Sequence, residues 1–292
     1  MTRLARASPS PEPPEQAATR DPWQGLRQYT QARIALGRAG TSLPTTEVLR
    51  FAAAHAQARD AVQVPLDVEA MRRSLRTIGQ EALIVHSSAV DRAEFLLRPD
   101  RGRMLAPPSA EALRAWRDAM AAEPEPAPRH APAAAQTFDL VLVVADGLSA
   151  VAAQSHATAV VAALVERLAA EPAVRLGPIV IATLARVALA DEIGALLDAR
   201  LALILLGERP GLAAPDSLGA YLTYAPAPGR TDSERNCVSN IRPEGQAPDA
   251  AAARLTWLVR GALRGRATGI ALKDASDALP QVPTATPPPL ES

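Results

Sequence analysis

The side chains that most often do chemistry are few in this sequence, and their spacing suits little of it. The four histidines, His55, His86, His130 and His156, are far apart and form neither H-x-x-x-H nor H-E-x-x-H, the spacings that bring two imidazoles to one helix face and one metal ion. Cys237 is the single cysteine, which rules out an intrachain disulfide, a multi-cysteine zinc site and an iron–sulfur cluster. With no histidine nearby in sequence to draw off its proton, Cys237 reads more simply as a small apolar residue than as a nucleophile. No G-x-S-x-G elbow occurs, and the only lysine, Lys273, lies in "LKDAS", so no phosphate-binding P-loop is present. The strongest strand pattern is followed by "DGLSAV" with one glycine. A dinucleotide pyrophosphate needs the closer backbone approach of G-x-G-x-x-G, so dinucleotide binding is disfavoured. What remains is a set of polar residues at predicted strand ends: Asp146, Glu208 and the loop after Tyr224.

Those residues are positioned by a block over 137–278 in which strand and helix alternate. "FDLVLVVA" (138–145) is a continuous β-rich apolar run, the pattern of a strand buried on both faces. A helix is predicted over 150–170, a strand over 176–184, a helix in "ADEIGALLDA", a strand over 200–207, another over 219–226, and a closing helix in "APDAAAARLTWLVRGAL". Such alternation implies a parallel α/β sheet, whose ligands sit beyond the carboxyl ends of the strands. Glu208 lies at one such end and Val187 in a loop leaving another; Cys237 is read as part of a polar loop.

The block over 23–120 reads as a smaller, mainly helical N-terminal domain. "PWQGLRQYTQARIAL" steps Trp23, Leu26 and Tyr29 along one helical face before "GRAG". A second helix runs from about Thr45 to Val62. "QEALIVHSSA" fits a short strand, "FLLRPDRGRML" an extended run and turn, and Pro108 to Ala121 a further helix holding Trp116. Residues 1–22 and 279–292 are expected as disordered tails, and 121–136 as a Pro/Ala-rich linker, because such compositions bury too little to offset the entropy of ordering.

Composition sets the outer bounds. The 292 residues are 48% apolar and 21% charged, enough for a real core. Lys+Arg and Asp+Glu stand at 31 each, which argues against a nucleic-acid binder or a membrane-surface protein. No secretory signal and no transmembrane run is read in the sequence, so a soluble, cytoplasmic protein is expected.

Read in order, "LRQYTQARIALGRAGTSLPT", "FAAAHAQARDAV", "VVADGLSA", "RVALADEIG", "LLGERPGL", "PDSLGAYLTYAP", "GRTDSERNCVSNIRPEG" and "IALKD" resemble the small (light) subunit of ethanolamine ammonia-lyase. The resemblance covers roughly 26–110 and 138–274. It implies a Rossmann-like C-terminal domain and a place in a hetero-oligomer with a barrel-type large subunit. That complex uses adenosylcobalamin to convert ethanolamine to acetaldehyde and ammonia. By the same resemblance Val187, Glu208 and Cys237 contact the cofactor at the interface between the chains, no catalytic acid or base lies on this chain, and it is inactive alone. The absence of D-x-H-x-x-G around any histidine agrees with cobalt keeping the cofactor's own base as lower ligand. The resemblance also leaves a bacterial microcompartment open as the location. Relatives carry glycines where Ala185 and Ala190 flank "RVAL"; a left-handed backbone at either would cost alanine about 1 kcal/mol.

Each residue has a plainer reading. Glu208 could pair with Arg209, Val187 could be core packing, Asp146 a loop cap, and Arg230 and Arg235 a solvated loop. The rival functions are a structural assembly subunit without cofactor contacts and a stand-alone nucleotide-binding enzyme.

Overall fold

Strand β2 (Phe138–Ala145) is buried along almost its whole length, as its unbroken apolar run demands. The structure is a computed structural model that describes residues 21–30, 32–122, 138–170 and 174–276; apart from 21–22 and 121–122, the expected tails and linker lie outside them. Around β2 the chain builds a six-stranded sheet in the order β1-β3-β2-β4-β5-β6. The strands are β1 (Ala82–His86), β3 (Leu176–Thr183), β4 (Ala199–Gly207), β5 (Leu218–Tyr224) and β6 (Arg235–Ile241).

The first four strands in that order are parallel, and β5 and β6 run antiparallel to their neighbours. The wholly parallel sheet expected from the sequence is thus corrected to a mixed, mostly parallel one. The cause is the link from β4 to β5, residues 208–217, which contains no helix; a parallel return needs a dozen or more residues and usually a helix. The short strand expected in "QEALIVHSSA" forms as β1 and pairs in register with β3. It comes from the first sequence block, so that block contributes an edge strand to the sheet.

Helices cover both faces. On one side α2 (Val68–Thr77), α5 (Ala150–Ala169) and α7 (Pro248–Gly265) pack against Leu140, Leu142, Leu203 and Leu205. On the other, α4 (Pro107–Ala122) and α6 (Leu189–Leu196) cover Val141, Val143, Ala202 and Ile204. Each buried Leu, Ile or Val side chain contributes about 1.5–3 kcal/mol. The short α3 (Arg92–Leu97) begins at Asp91, whose side chain accepts from Glu94 N at 2.8 Å, while Val90 N donates to Glu94 Oε2 at 2.8 Å. This reciprocal capping corrects the extended run expected there.

The chain divides into two compact units between Gln57 and Ala58, within α1 (Thr45–Gln63). In the first, the amphipathic helix expected over 23–33 is only a 3-10 turn, Pro22–Gln28, with no buried residue. An apolar helical stripe stabilises a helix by burial, and here Trp23 and Tyr29 remain 67% and 80% exposed.

Candidate functional site

Three loops meet at the carboxyl ends of the parallel strands. The loop after β2 crosses the end of β4 at a pair of glycines. A Cβ on Gly147, which has φ +55°, would come within 2.2 Å of Gly207 O, and one on Gly207 within 1.9 Å of Ser149 O. Asp146 joins this loop to the next: its carboxylate accepts from Leu184 N at 2.9 Å and Ala185 N at 3.0 Å. Burial pushes the Asp146 carboxyl above its ordinary pKa, against the pull of those two donors and Arg92. Arg92 in turn donates to Gly147 O at 2.8 Å and Leu148 O at 3.1 Å. Asp146 is therefore a buried brace between loops.

Because α5 leaves β2 for one face and α6 leaves β3 for the other, a crevice opens across the strand ends. Two cavities occupy it. One of about 390 Å³ is lined by Gly147, Leu148, Arg186, Val187, Glu208 and Tyr221, among others. Another of about 590 Å³ shares Arg186 and Val187 and reaches Arg103, Glu192, Arg230 and Arg235.

Val187 and Glu208, singled out in the sequence, thus line one cavity. Glu208 is not paired with Arg209. Its Oε2 accepts from Ser217 Oγ at 2.5 Å and from Asn240 N at 3.3 Å, while Oε1 has no hydrogen bond among the described residues. Gly219 makes the room: a Cβ there would lie 2.8 Å from Glu208 Oε1. Cys237 needs a correction, since it sits in strand β6 rather than a loop. In "RNCVSNI" only Val238 and Ile241 supply an apolar signal, because β6 is an edge strand whose other positions are largely polar. Cys237 pairs with Tyr221 across the strands. Desolvation by surrounding protein raises the thiol pKa, and the nearby Glu208 charge adds to it. A neutral thiol results, poorly suited to nucleophilic attack. Burial, with Cys237 and Glu208 close by, likewise pushes the Tyr221 hydroxyl above its ordinary value.

Ala185 and Ala190 do not have a left-handed backbone; Leu184 does, with φ 53°. Both alanines, Ala185 ahead of α6 and Ala190 in its first turn, are buried in one core cluster and line neither cavity. Arg235 is committed to structure. Its guanidinium donates to both carboxylate oxygens of Asp191 at 2.7 Å, and the pair is almost wholly buried. Arg230 donates to Ala225 O and Glu234.

Sequence reasoning passed over Arg186 and Tyr221. Arg186 stands directly before Val187 in "RVAL", and Tyr221 is one of three tyrosines; the scarcity of aromatics at a predicted strand was the available signal. Among the described residues no cluster of three His, Cys, Asp or Glu could hold a metal ion, and no helix is long and apolar enough to cross a membrane.

The fold and crevice define a class: a mixed α/β protein that presents a large groove at the carboxyl ends of its parallel strands. Residues 20–273 match the family described as ethanolamine ammonia-lyase light chain (EutC), and the chain belongs to that family. It is similar to the ethanolamine ammonia-lyase small subunits of Ralstonia nicotianae (49% identical, covering 89% of this chain and 90% of the relative) and Azotobacter vinelandii (51%, covering 89% and 91%). That of Bradyrhizobium diazoefficiens is 49% identical over 89% of this chain and 93% of its own length.

Proposed function

We propose that this chain is the cofactor-holding small subunit of an adenosylcobalamin-dependent ethanolamine ammonia-lyase, completed by a large subunit that binds ethanolamine. The observation that carries the reading is the shared cavity of Val187 and Glu208, with Tyr221 in its wall and Cys237 opposite Tyr221 on the next strand. The Rossmann-like description of 137–278, extended at its edge by β1, rests on helices leaving β2 and β3 for opposite faces. In this reading 23–120 is the smaller accompanying domain. A cytoplasmic location, free or inside a bacterial microcompartment, goes with the role.

The residues present fit a corrinoid. Its rim carries primary carboxamides, which are hydrogen-bond donors. Glu208 Oε1 is an acceptor without a partner among the described residues, kept open by Gly219. Val187 offers an apolar contact, and the neutral Cys237–Tyr221 pair offers a weakly polar edge that adds no charge. When bound, the cofactor supplies the radical chemistry; this chain's residues bind, orient and exclude water. Asp146 and Arg92 hold the two loops that wall the cavity.

The test is co-expression with a large subunit and equilibrium titration with adenosylcobalamin. Glu208→Ala should leave assembly intact and weaken cofactor binding about tenfold or more, the loss of a charge-assisted hydrogen bond. The chain alone should not turn over ethanolamine. Unchanged affinity in the assembled variant would favour a structural subunit without cofactor contacts.

A further inference from the structure

Three guanidinium groups line the crevice without a direct ion pair to an acid. Arg103 and Arg186 border the larger cavity, and Arg186 and Arg209 the smaller. None of the three makes an ion pair among the described residues, whereas Arg230 and Arg235 in the same wall are matched by Glu234 and Asp191. Of the acids nearby, Asp146 acts on Arg186 at a distance and is engaged by Leu184 N, Ala185 N and Arg92, Glu192 accepts from Leu105 N, and Glu208 is held by Ser217 and Asn240 on the opposite oxygen from its open one.

Arg186 is built into place. Its guanidinium lies over the Phe95 ring at 4.2 Å, with that of Arg92 over the same ring at 4.7 Å. Its Nη2 donates to Phe95 O at 3.0 Å, and its backbone N–H donates to Gly102 O at 2.8 Å. Gly102 leaves the space the side chain needs, since a Cβ there would sit 2.8 Å from Arg186 Cγ. Nη1 makes no hydrogen bond among the described residues, and Nε is buried without a partner. Such a residue holds a positive charge at a fixed point and keeps donors uncommitted. Burial, and then the like charges of Arg92 and Arg103, push its pKa below the ordinary arginine value, against the smaller opposing pull of Asp146. An anion in the crevice would relieve that repulsion.

We propose that Arg103, Arg186 and Arg209 form an anion subsite of the crevice that takes a phosphodiester, namely that of the cofactor's nucleotide tail. The inference rests on the cofactor-holding reading above and adds to it which chemical group meets which wall. The carboxamide arms of a corrinoid are neutral and give no use for three unmatched cations. A phosphate does, because its oxygens accept the parallel donors of a guanidinium fork. A field from like charges concentrated in a cleft also draws anions inward.

The experiment uses the assembled complex and two corrinoids: cobalamin, and cobinamide, which lacks the phosphodiester and nucleotide base. Arg186→Gln should weaken cobalamin about tenfold or more, and cobinamide less than about twofold. Arg209→Gln and Arg103→Gln, both at exposed positions, should show the same selectivity at about two- to fivefold, and they carry the test if the first variant does not assemble. Inorganic phosphate at millimolar concentration should compete with cobalamin in the wild-type complex and not with cobinamide. Equal losses for both corrinoids, or no loss for either, overturn the subsite while leaving the cofactor-holding reading intact. Phosphate that binds without competing assigns the cluster to a free anion and overturns it as well. A failure of the earlier reading looks different: Glu208→Ala leaves the affinity for both corrinoids unchanged.

Discussion

The two compact units of this chain are stabilised by different physics. The unit from Ala58 onward has a sheet whose central strands are buried on both faces, with Leu, Ile, Val and Ala filling two core clusters. The unit up to Gln57 has almost no apolar interior. Its one buried residue among those described is Glu47, which accepts from Arg50 at 2.6 Å and from Arg27 at 3.3 Å, with Arg33 on its backbone carbonyl. Apolar burial is insensitive to the exact partner, while an acid held by several arginines depends on one side chain. The sheet unit does contain one acid–base contact that its core has fully enclosed, the Asp191–Arg235 pair. The teaching of the contrast is that an ion pair's importance depends on what surrounds it.

The largest effect should therefore come from Asp191→Ala. It leaves the Arg235 guanidinium, with side-chain exposure of only 2%, no acid but the exposed Asp232 at 3.4 Å from its Nε, and should destabilise the chain by about 3–5 kcal/mol. Denaturant unfolding of the full chain measures it. The double variant Asp191→Leu with Arg235→Met should recover most of that loss, because no buried charge remains. Recovery should stay incomplete, since Thr223 Oγ1 and Arg230 O also lose Arg235 as donor. A single variant as stable as the wild type would erase the distinction between enclosed and rim ion pairs.

How much of this could be read in the sequence follows the same divide. β2 and α1, α4, α5 and α7 were legible within a residue or two, because their apolar runs and periods reflect burial that the residues themselves carry. The antiparallel turn of β5 was not, since direction is set by the connection, and a loop without a helix looks alike whichever way it returns. β6 was hidden because an edge strand keeps polar residues. α3 was announced by Asp91 and Glu94, a local capping signal weaker than the neighbouring Leu-Leu and Pro. At the site, topology alone pointed to Glu208 at a strand end, while Val187 was singled out by the family resemblance and then falls in the loop after β3. Arg186 was illegible as a special residue among 31 basic residues, because only the fold shows which arginines lack an acid. The buried match of Asp191 with Arg235 joins positions 44 apart, a distance no local pattern spans.

A smaller and more local effect is expected in the N-terminal unit. Glu47→Ala releases Arg27 and Arg50 together, and no apolar core compensates. The unfolding midpoint of the whole chain should barely move, while limited proteolysis should cut faster between residues 21 and 57 than in the wild type. Glu47→Gln, which keeps an acceptor oxygen, should fall between the two. A drop in the global midpoint as large as that of Asp191→Ala would mean that the polar unit is as tightly coupled to overall stability as the sheet core.

The smallest effect should appear at Glu234, where the rim of the sheet unit uses the N-terminal unit's device. Its carboxylate accepts from Thr231 N at 2.7 Å, from Arg230 at 2.6 Å and from Thr231 Oγ1 at 3.0 Å. These donors, the Thr231 backbone N–H first, hold its pKa at about 2 against an ordinary value of 4.5. A carboxyl whose pKa is lowered by folding stabilises the folded form fully above the unfolded value. That contribution fades as pH falls from 4.5 and is gone below about 2. Glu234→Gln carries no such charge at any pH, so wild type and variant should differ at neutral pH and converge in acid. The readout is amide hydrogen exchange at Thr231, in the loop that walls the larger cavity. Protection should be higher in the wild type near pH 6, and the gap should close toward pH 2. A gap that persists unchanged in acid would mean that packing of the 228–235 loop, rather than the charge of Glu234, holds this wall of the crevice.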